Sequence, residues 1–243
     1  EPQAGTDLGA IRTMATPNGD GTWSIKGQKI FITWGDHDVA ENIVHLVLAR
    51  TPDAPEGSKG ISLFVAPKFL PDASGNPGER NAITTVSVEH KLGIHGSPTC
   101  VLEYEGATGF LVGELHGGLA GMFVMMNSAR VGMGLQATGI SDRAYQRARA
   151  YAEERMQGAV LDRPDGTPIA EHPDVRRLLL SMASEIAAMR ALGVYVGDLF
   201  DRATDADGIR LAELFVPIFK GWTTEEALRI TSDAIQVHGG MGF

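Results

Sequence analysis

A single cysteine, Cys100, occurs in 243 residues, so no internal disulfide can form. Its place in a β-branched run reads as a small apolar core position. One thiol is compatible with a reducing compartment, and a cytoplasmic location is expected. No stretch of about 18 apolar residues occurs, which argues against a membrane span. Positive charge is the scarcer sign: 21 Lys and Arg against 30 Asp and Glu give a net charge of −9. Broad binding to DNA or RNA needs a basic face, so nucleic acid is not an expected partner. A local basic pocket for a phosphorylated ligand is still compatible with that balance. The seven His residues at 37, 45, 90, 95, 116, 172 and 238 form no His-x-x-x-His pattern, and no Cys-x-x-Cys exists, so no metal site is expected. A Gly-x-Ser-x-Gly elbow and a Walker-type phosphate loop are missing too. Gly239-Gly240-Met241-Gly242 resembles half of a dinucleotide fingerprint, but it follows a helical pattern rather than a strand, which argues against a Rossmann fold.

What is present suits a folded protein of one or two domains: 43% hydrophobic and 21% charged residues. The start, Glu1-Pro2-Gln3, has no initiating Met, basic n-region or apolar h-region, so it does not read as a signal peptide. Both ends read as cut from something longer. Residues 1–116 carry short apolar runs that predict strands at Ala10–Ala15, Trp23–Ile25, Lys29–Thr33, Ile43–Ala49, Ile61–Val65, Ile83–Val88 and Thr99–Tyr104. Turn chemistry separates them, and Pro71–Arg80 reads as a surface loop. Seven such strands suggest a sandwich or barrel. From residue 117 the period changes. Gly118–Gly158 and Asp207–His238 read as long helices. Val175, Leu178, Leu179, Met182, Ile186, Met189, Val196, Leu199 and Phe200 trace one helical stripe between them. Loops are expected at Gln157–Pro173 and Asp205–Gly208. The expected class is α+β: a β domain over 1–116, then an incomplete up-down bundle over 117–243.

Three segments suggest ligand chemistry. Glu1–Asp7 is a turn whose amides and Thr6 hydroxyl could meet a phosphate. Lys29–Gly35 places the Thr33 hydroxyl between aromatic side chains, which suits a flat heteroaromatic ring. Glu153–Gly158 ends a helix with Arg155, which could equally cap carbonyls.

In this order the segments resemble the acyl-CoA dehydrogenase family. Glu1-Pro2-Gln3-Ala4-Gly5-Thr6-Asp7 is similar to its Glu-Pro-x-Ala-Gly-Ser/Thr-Asp signature, and Phe31-Ile32-Thr33-x-Gly35 to its Trp/Phe-Ile-Thr-x-Gly segment. Lys91–Thr99 is similar to Lys-Leu-Gly-x-Arg-Gly-Ser-x-Thr. Arg130, Glu154–Gly158 and Gln236–Phe243 complete six motifs spread over the chain. The Arg163–Pro173 insertion and Gly35-Asp36-His37-Asp38 look most like the long-subunit branch, which includes 3-(methylthio)propanoyl-CoA dehydrogenases.

The resemblance implies a homodimeric or homotetrameric FAD flavoprotein of fatty acid metabolism, with an N-terminal helical domain missing here. It implies α,β-dehydrogenation of an acyl-CoA thioester, with an electron-transfer flavoprotein as acceptor. It places Thr33 by the flavin N5 region, Phe31 against the ring, Ile32 among the cofactor-binding residues, and Thr6 at the pyrophosphate. Arg155 would reach the diphosphate of a neighbouring subunit's FAD, while Gln236, Val237, Gly239 and Gly240 would line its adenosine end. Ser97 and Arg130 fall near the CoA. Departures are His95 in place of the common Arg and Trp34 where Asn is frequent. No catalytic residue is assigned: the family's Glu lies past Phe243 in most members, and the minority position, one before the helix Arg, is Ala129. The 243-residue piece alone is therefore expected to be inactive. Tyr104-Glu105-Gly106 shares letters with the catalytic segment but sits at a strand end, and is read as coincidence. One alternative is an alkylation-response-type flavoprotein relative that binds DNA; another is a stable core that binds no flavin.

Overall fold

Alternation along Val44–Arg50 buries His45, Val47 and Ala49 on one face, the period-two signature of a half-buried strand. In the computed structural model, which describes residues 1–161 and 166–243, this strand is β3 of eight described strands. The others are β1 (Met14–Pro17), β2 (Trp23–Thr33), β4 (Ile61–Pro67), β5 (Phe69–Pro71), β6 (Pro77–Arg80), β7 (Ile83–Val88) and β8 (Thr99–Val112). The main sheet runs β2-β1-β3-β4-β8-β7, and a β2–β8 pairing closes the first five strands into a barrel. Trp23, Ile25, Phe64, Leu102 and Tyr104 are among its core residues. Burial drives the Tyr104 phenol far above its usual range.

Four expectations need correction. Ala10–Ala15 is not one strand: Leu8–Ala10 is a 3-10 turn, and the Arg12 and Thr13 amides donate to the Glu1 carboxylate instead of to a ladder. Trp23–Ile25 and Lys29–Thr33 are one strand, continuous through Gly27, where a Cβ would strike Thr13 Oγ1 at 2.5 Å. The last strand runs on from Tyr104 to Val112. It passes a bulge where Ile25 pairs with Ala107 but Lys26 with Glu105, leaving Gly106 extra at φ 86°. Pro71–Arg80 is not wholly loop: β5 and β6 form a small exposed hairpin.

The helices are α1 (Gly118–Glu154), α2 (Pro173–Arg202) and α3 (Ala206–His238). The chain divides into two compact units, Glu1–Val124 and Met125–Phe243, so the first residues of α1 belong with the barrel. There Leu119 packs on Ala4, Ile11 and Ile61. In the second unit α1 contributes Ala148 and Ala152, α2 Met182, Ile186 and Met189, and α3 Ile230 and Ala234 to one core. A second cluster surrounds Phe219, wholly buried. A Cβ at Gly134 of α1 would meet its ring at 2.5 Å and one at Gly193 of α2 at 3.0 Å, so glycine on both helices makes room for it. By length and composition α2 would suffice to cross a membrane. Its stripe of Leu178, Met182, Ile186, Met189 and Val196 is instead buried in these two clusters. Part of the expected Arg163–Pro173 insertion lies outside the described residues; Ile169–Glu171 within it is a 3-10 turn.

Candidate functional site

Two places gather most of the residues singled out by sequence, one in each unit. In the barrel unit the Thr33 end of β2 is irregular. Its register against β8 breaks between Lys29↔Leu102 and Ile32↔Cys100, so β2 carries one extra residue there. Phe31 and Trp34 adopt left-handed φ values of 57° and 54°, where bulky side chains are outliers. Such backbone costs free energy and clusters at ligand sites. The consequence is exposure: Phe31 is 67% and Trp34 43% accessible, flanking the exposed Thr33. Ile32 behaves differently, its side chain packing on the barrel core. The turn closes at Gly35, where a Cβ would press on Cys100 Cβ and Ile32 Cγ2 at 3.0 Å each.

The Lys91–Thr99 segment lies alongside. Trp34 N–H donates to the Pro98 carbonyl at 2.8 Å, and Thr33 pairs with Thr99. Lys91 Nζ holds the segment by donating to the carbonyls of Ile94 and Ser97. Ser97 N–H donates to Ile94 O at 3.0 Å, closing a turn at left-handed Ile94 (φ 47°). The structure thus brings Phe31, Ile32, Thr33 and Ser97 to one end of the barrel.

Thr6 is exposed on the Glu1–Asp7 turn. The organiser of that turn is Glu1, which sequence reasoning passed over. Its carboxylate accepts from Arg12 N–H (2.7 Å), Thr13 N–H (3.1 Å), Thr13 Oγ1 (2.6 Å) and Lys29 Nζ (2.8 Å). Burial opposes the charge, but the bonds from Lys29, Thr13 and Arg12 outweigh it and hold the Glu1 carboxyl at about 2. Burial lowers the Lys29 ammonium from its usual value, and Glu1 resists that shift. Lys29 also donates to Leu48 O at 2.8 Å, tying the turn to β2 and β3.

In the helical unit a cavity of about 330 Å³ is lined by Tyr151, Arg155, Gln157, Ile169, Val237, His238, Gly239, Gly240 and Met241. Arg155, Val237, Gly239 and Gly240 therefore meet, from chain positions about 80 residues apart. Gln236 is not in the lining; it is exposed, and its carbonyl accepts from Gly239 N–H. Gly239 ends α3 at φ 58°, a conformation suited to glycine. The far wall is set by main-chain bonds, Ile169 N–H to Arg155 O at 2.8 Å and Gln157 N–H to Thr167 O at 3.0 Å. His238 and Tyr151 stack with centroids 4.8 Å apart, and His238 Nδ1 lies 2.7 Å from Ala234 O. Both rings escaped sequence reasoning, although His238 stood inside a quoted motif. An arginine fork, glycine-backed main chain and stacked rings suit a diphosphate joined to an aromatic base. Arg130, on α1, donates to Asn127 Oδ1 at 3.3 Å. Glu105 lies exposed in β8 opposite Lys26, and Ala129 offers no carboxylate. No cluster of metal-ligating side chains occurs among the described residues.

Comparison with known proteins assigns both units. Residues 1–107 match the acyl-CoA dehydrogenase middle domain, and residues 116–243 the acyl-CoA dehydrogenase C-terminal domain. The whole chain is 51% identical to 43% of 3-methylmercaptopropionyl-CoA dehydrogenase of Ruegeria pomeroyi. It is 42% identical to 43% of the broad-specificity linear acyl-CoA dehydrogenase FadE5 of Mycobacterium tuberculosis. The chain thus spans less than half the length of these relatives. The solved structure of butyryl-CoA dehydrogenase from Megasphaera elsdenii superposes on the entire chain with a TM-score of 0.81, at 29% identity and over 57% of that protein.

Proposed function

The chain belongs to the acyl-CoA dehydrogenase family, and from that premise we propose that the full-length protein is an FAD-dependent acyl-CoA dehydrogenase of the long-subunit branch. The observation that carries the reading is the bulged, left-handed Phe31–Trp34 turn, which leaves Thr33 exposed together with the aromatic residues on either side of it in the chain. FAD, when bound, would supply the hydride acceptor for oxidation of the acyl α,β bond. The residues present fit it at both places. Thr33 would donate a hydrogen bond near flavin N5, with Phe31 and Trp34 walling the ring from water. Ile32 would contribute main chain rather than side chain, since its side chain serves the core. Thr6 would meet the pyrophosphate. Arg155, Val237, Gly239 and Gly240, with Gln236 beside them, would hold the diphosphate and adenosine end of a neighbouring subunit's FAD, in a homodimer or homotetramer. Ser97 and Arg130 would orient the CoA.

Removal of an α proton needs a carboxylate within hydrogen-bond reach of the substrate. Neither Ala129 nor Glu105 provides it, so we place the base outside these 243 residues. The 51% identity to a 3-methylmercaptopropionyl-CoA dehydrogenase supports the branch. An electron-transfer flavoprotein is the proposed acceptor and the cytoplasm the proposed location. The net charge of −9 lends the DNA-binding alternative no support.

The test is the full-length protein as purified. It is expected to carry flavin absorbance that bleaches on anaerobic addition of an acyl-CoA, with dye reduction under turnover. A folded protein that takes up no flavin at saturating FAD would overturn the reading.

A further inference from the structure

Asp36 stands three residues past Thr33 and has none of the roles above. One carboxylate oxygen pairs with Lys68 Nζ at 2.5 Å, and the other accepts from Thr85 Oγ1 at 2.9 Å. Lys68 follows β4 and Thr85 lies in β7, the strand that flanks the barrel beside β8, so one side chain bridges two separate segments of the β unit. Lys68 Nζ also donates to the His37 carbonyl at 3.3 Å, and the His37 ring meets the Trp34 indole edge-on at 5.4 Å. The segment is thus gripped just after its strained residue. On the other side it is held by Trp34 N–H to Pro98 O (2.8 Å) and Gly35 N–H to Ile32 O (3.2 Å).

A left-handed tryptophan persists only where its surroundings overdetermine it. Main-chain bonds on one side and the charge-assisted pair on the other provide that excess of constraint. Without the pair, Trp34 could relax toward an ordinary φ, and Thr33, the preceding residue, would turn with it. We propose that Asp36 is a positioning residue: gripped by Lys68 and Thr85, it holds Thr33 and Trp34 in the single backbone conformation that presents a hydroxyl and an indole side by side. The inference rests on the reading of this turn as flavin-facing.

The test uses the FAD-loaded full-length protein with Asp36→Asn, Asp36→Glu, Lys68→Met, Thr85→Val and, as reference, Thr33→Val. The readouts are the flavin absorption spectrum, and the rate of flavin reduction separated from acyl-CoA affinity by stopped flow. Asp36→Asn and Lys68→Met are expected to perturb the spectrum as Thr33→Val does. Each should slow reduction about tenfold with little change in substrate affinity, the scale of a small misplacement. Combining the two should cost no more than either alone, because they break one interaction. Asp36→Glu, which keeps the charge, should recover most of the rate. If Thr33→Val alters the spectrum while Asp36→Asn and Lys68→Met leave spectrum and rate at the unmodified values, the positioning role is wrong and the flavin reading survives. If Thr33→Val is silent as well, the flavin reading of the turn fails and takes the inference with it. Should Asp36→Asn not fold, Lys68→Met and Thr85→Val carry the same comparison, and unaltered flavin properties in both would overturn the proposal.

Discussion

The two units hold their candidate residues by different physics. The barrel unit does it with ion-paired, hydrogen-bonded side chains: Glu1 gripped by Lys29, Thr13 and Arg12, and the half-buried Asp36 gripped by Lys68 and Thr85. The helical unit does it with apolar packing. Its cavity forms where the ends of α1 and α3 meet, and Ile169 and Val237, which line it, also belong to the apolar core with Met182 and Ile186. Directional bonds can force two aromatic residues into left-handed backbone; packing can bring together segments about 80 residues apart but leaves each side chain freer. A flat ring that needs one hydrogen bond in one place suits the first arrangement. A flexible diphosphate suits the second.

The sharpest way to break the comparison is in the helical unit. Phe219→Ala removes a wholly buried ring from between Gly134 and Gly193, and should cost about 3–5 kcal/mol of stability. Hydrogen exchange should show the loss concentrated in α1–α3; an equal loss across β1–β8 would mean that the two units do not divide the work this way.

Next in size is the barrel. Lys29→Met would strand the Glu1 carboxylate in a mostly buried site and should cost about 3 kcal/mol, much of it recovered in the Glu1→Gln, Lys29→Met double variant. The same pair predicts acid sensitivity. The Glu1 carboxyl sits at about 2 in the fold against an ordinary 4.5, a depressed value. Its stabilisation is complete above 4.5 and is lost as pH falls from there toward 2. Denaturation midpoints at pH 5 and pH 3 should therefore differ more for the unmodified protein than for Glu1→Gln.

Two ligand-side changes have smaller structural effects. Arg155→Ala in the full-length protein should weaken FAD retention by about tenfold to a hundredfold, the range of a charge-assisted diphosphate contact, and leave unfolding unchanged. Unaltered affinity in titration would reduce Arg155 to a helix-end residue. Thr33→Val nearly keeps volume and should leave the fold intact while slowing flavin reduction; unchanged kinetics would remove the N5 assignment.

Most of the architecture was legible because periodicity reports burial, and burial is what strands and helices share with their sequence. The expected strand Ile43–Ala49, found as Val44–Arg50 with alternate residues buried, and the α2 stripe from Leu178 to Val196 are cases where pattern and structure coincide. Two of the errors fall at glycines: the expected strands break around Gly27 and stop short of Gly106. Gly27 and Gly106 sit inside strands, as close approach and bulge, because their neighbours on the facing strand supply the constraint. The Arg12 and Thr13 amides were misread because a side chain, not a strand, satisfies them, and that side chain lies eleven and twelve residues away. Of the candidate sites, the motif letters were visible but the supports were not. Nothing local in Asp36, Lys68 and Thr85 says that they meet; only the closing of the barrel brings them together. The Tyr151–His238 stack likewise depends on α1 and α3 ending side by side.

Cys100, buried opposite Ile32 and against the Gly35 backbone, gives the molecule a built-in clock. A thiol reagent can reach it only when the structure around it opens, so its modification rate measures that opening. As the only thiol among the 243 residues, it gives an unambiguous signal in this part of the protein. Labelling should slow whenever a ligand seats on the Phe31–Trp34 turn and quicken when the Asp36 grip is removed. The rate of one slow chemical reaction would then report how tightly the turn is held, with no need for catalysis.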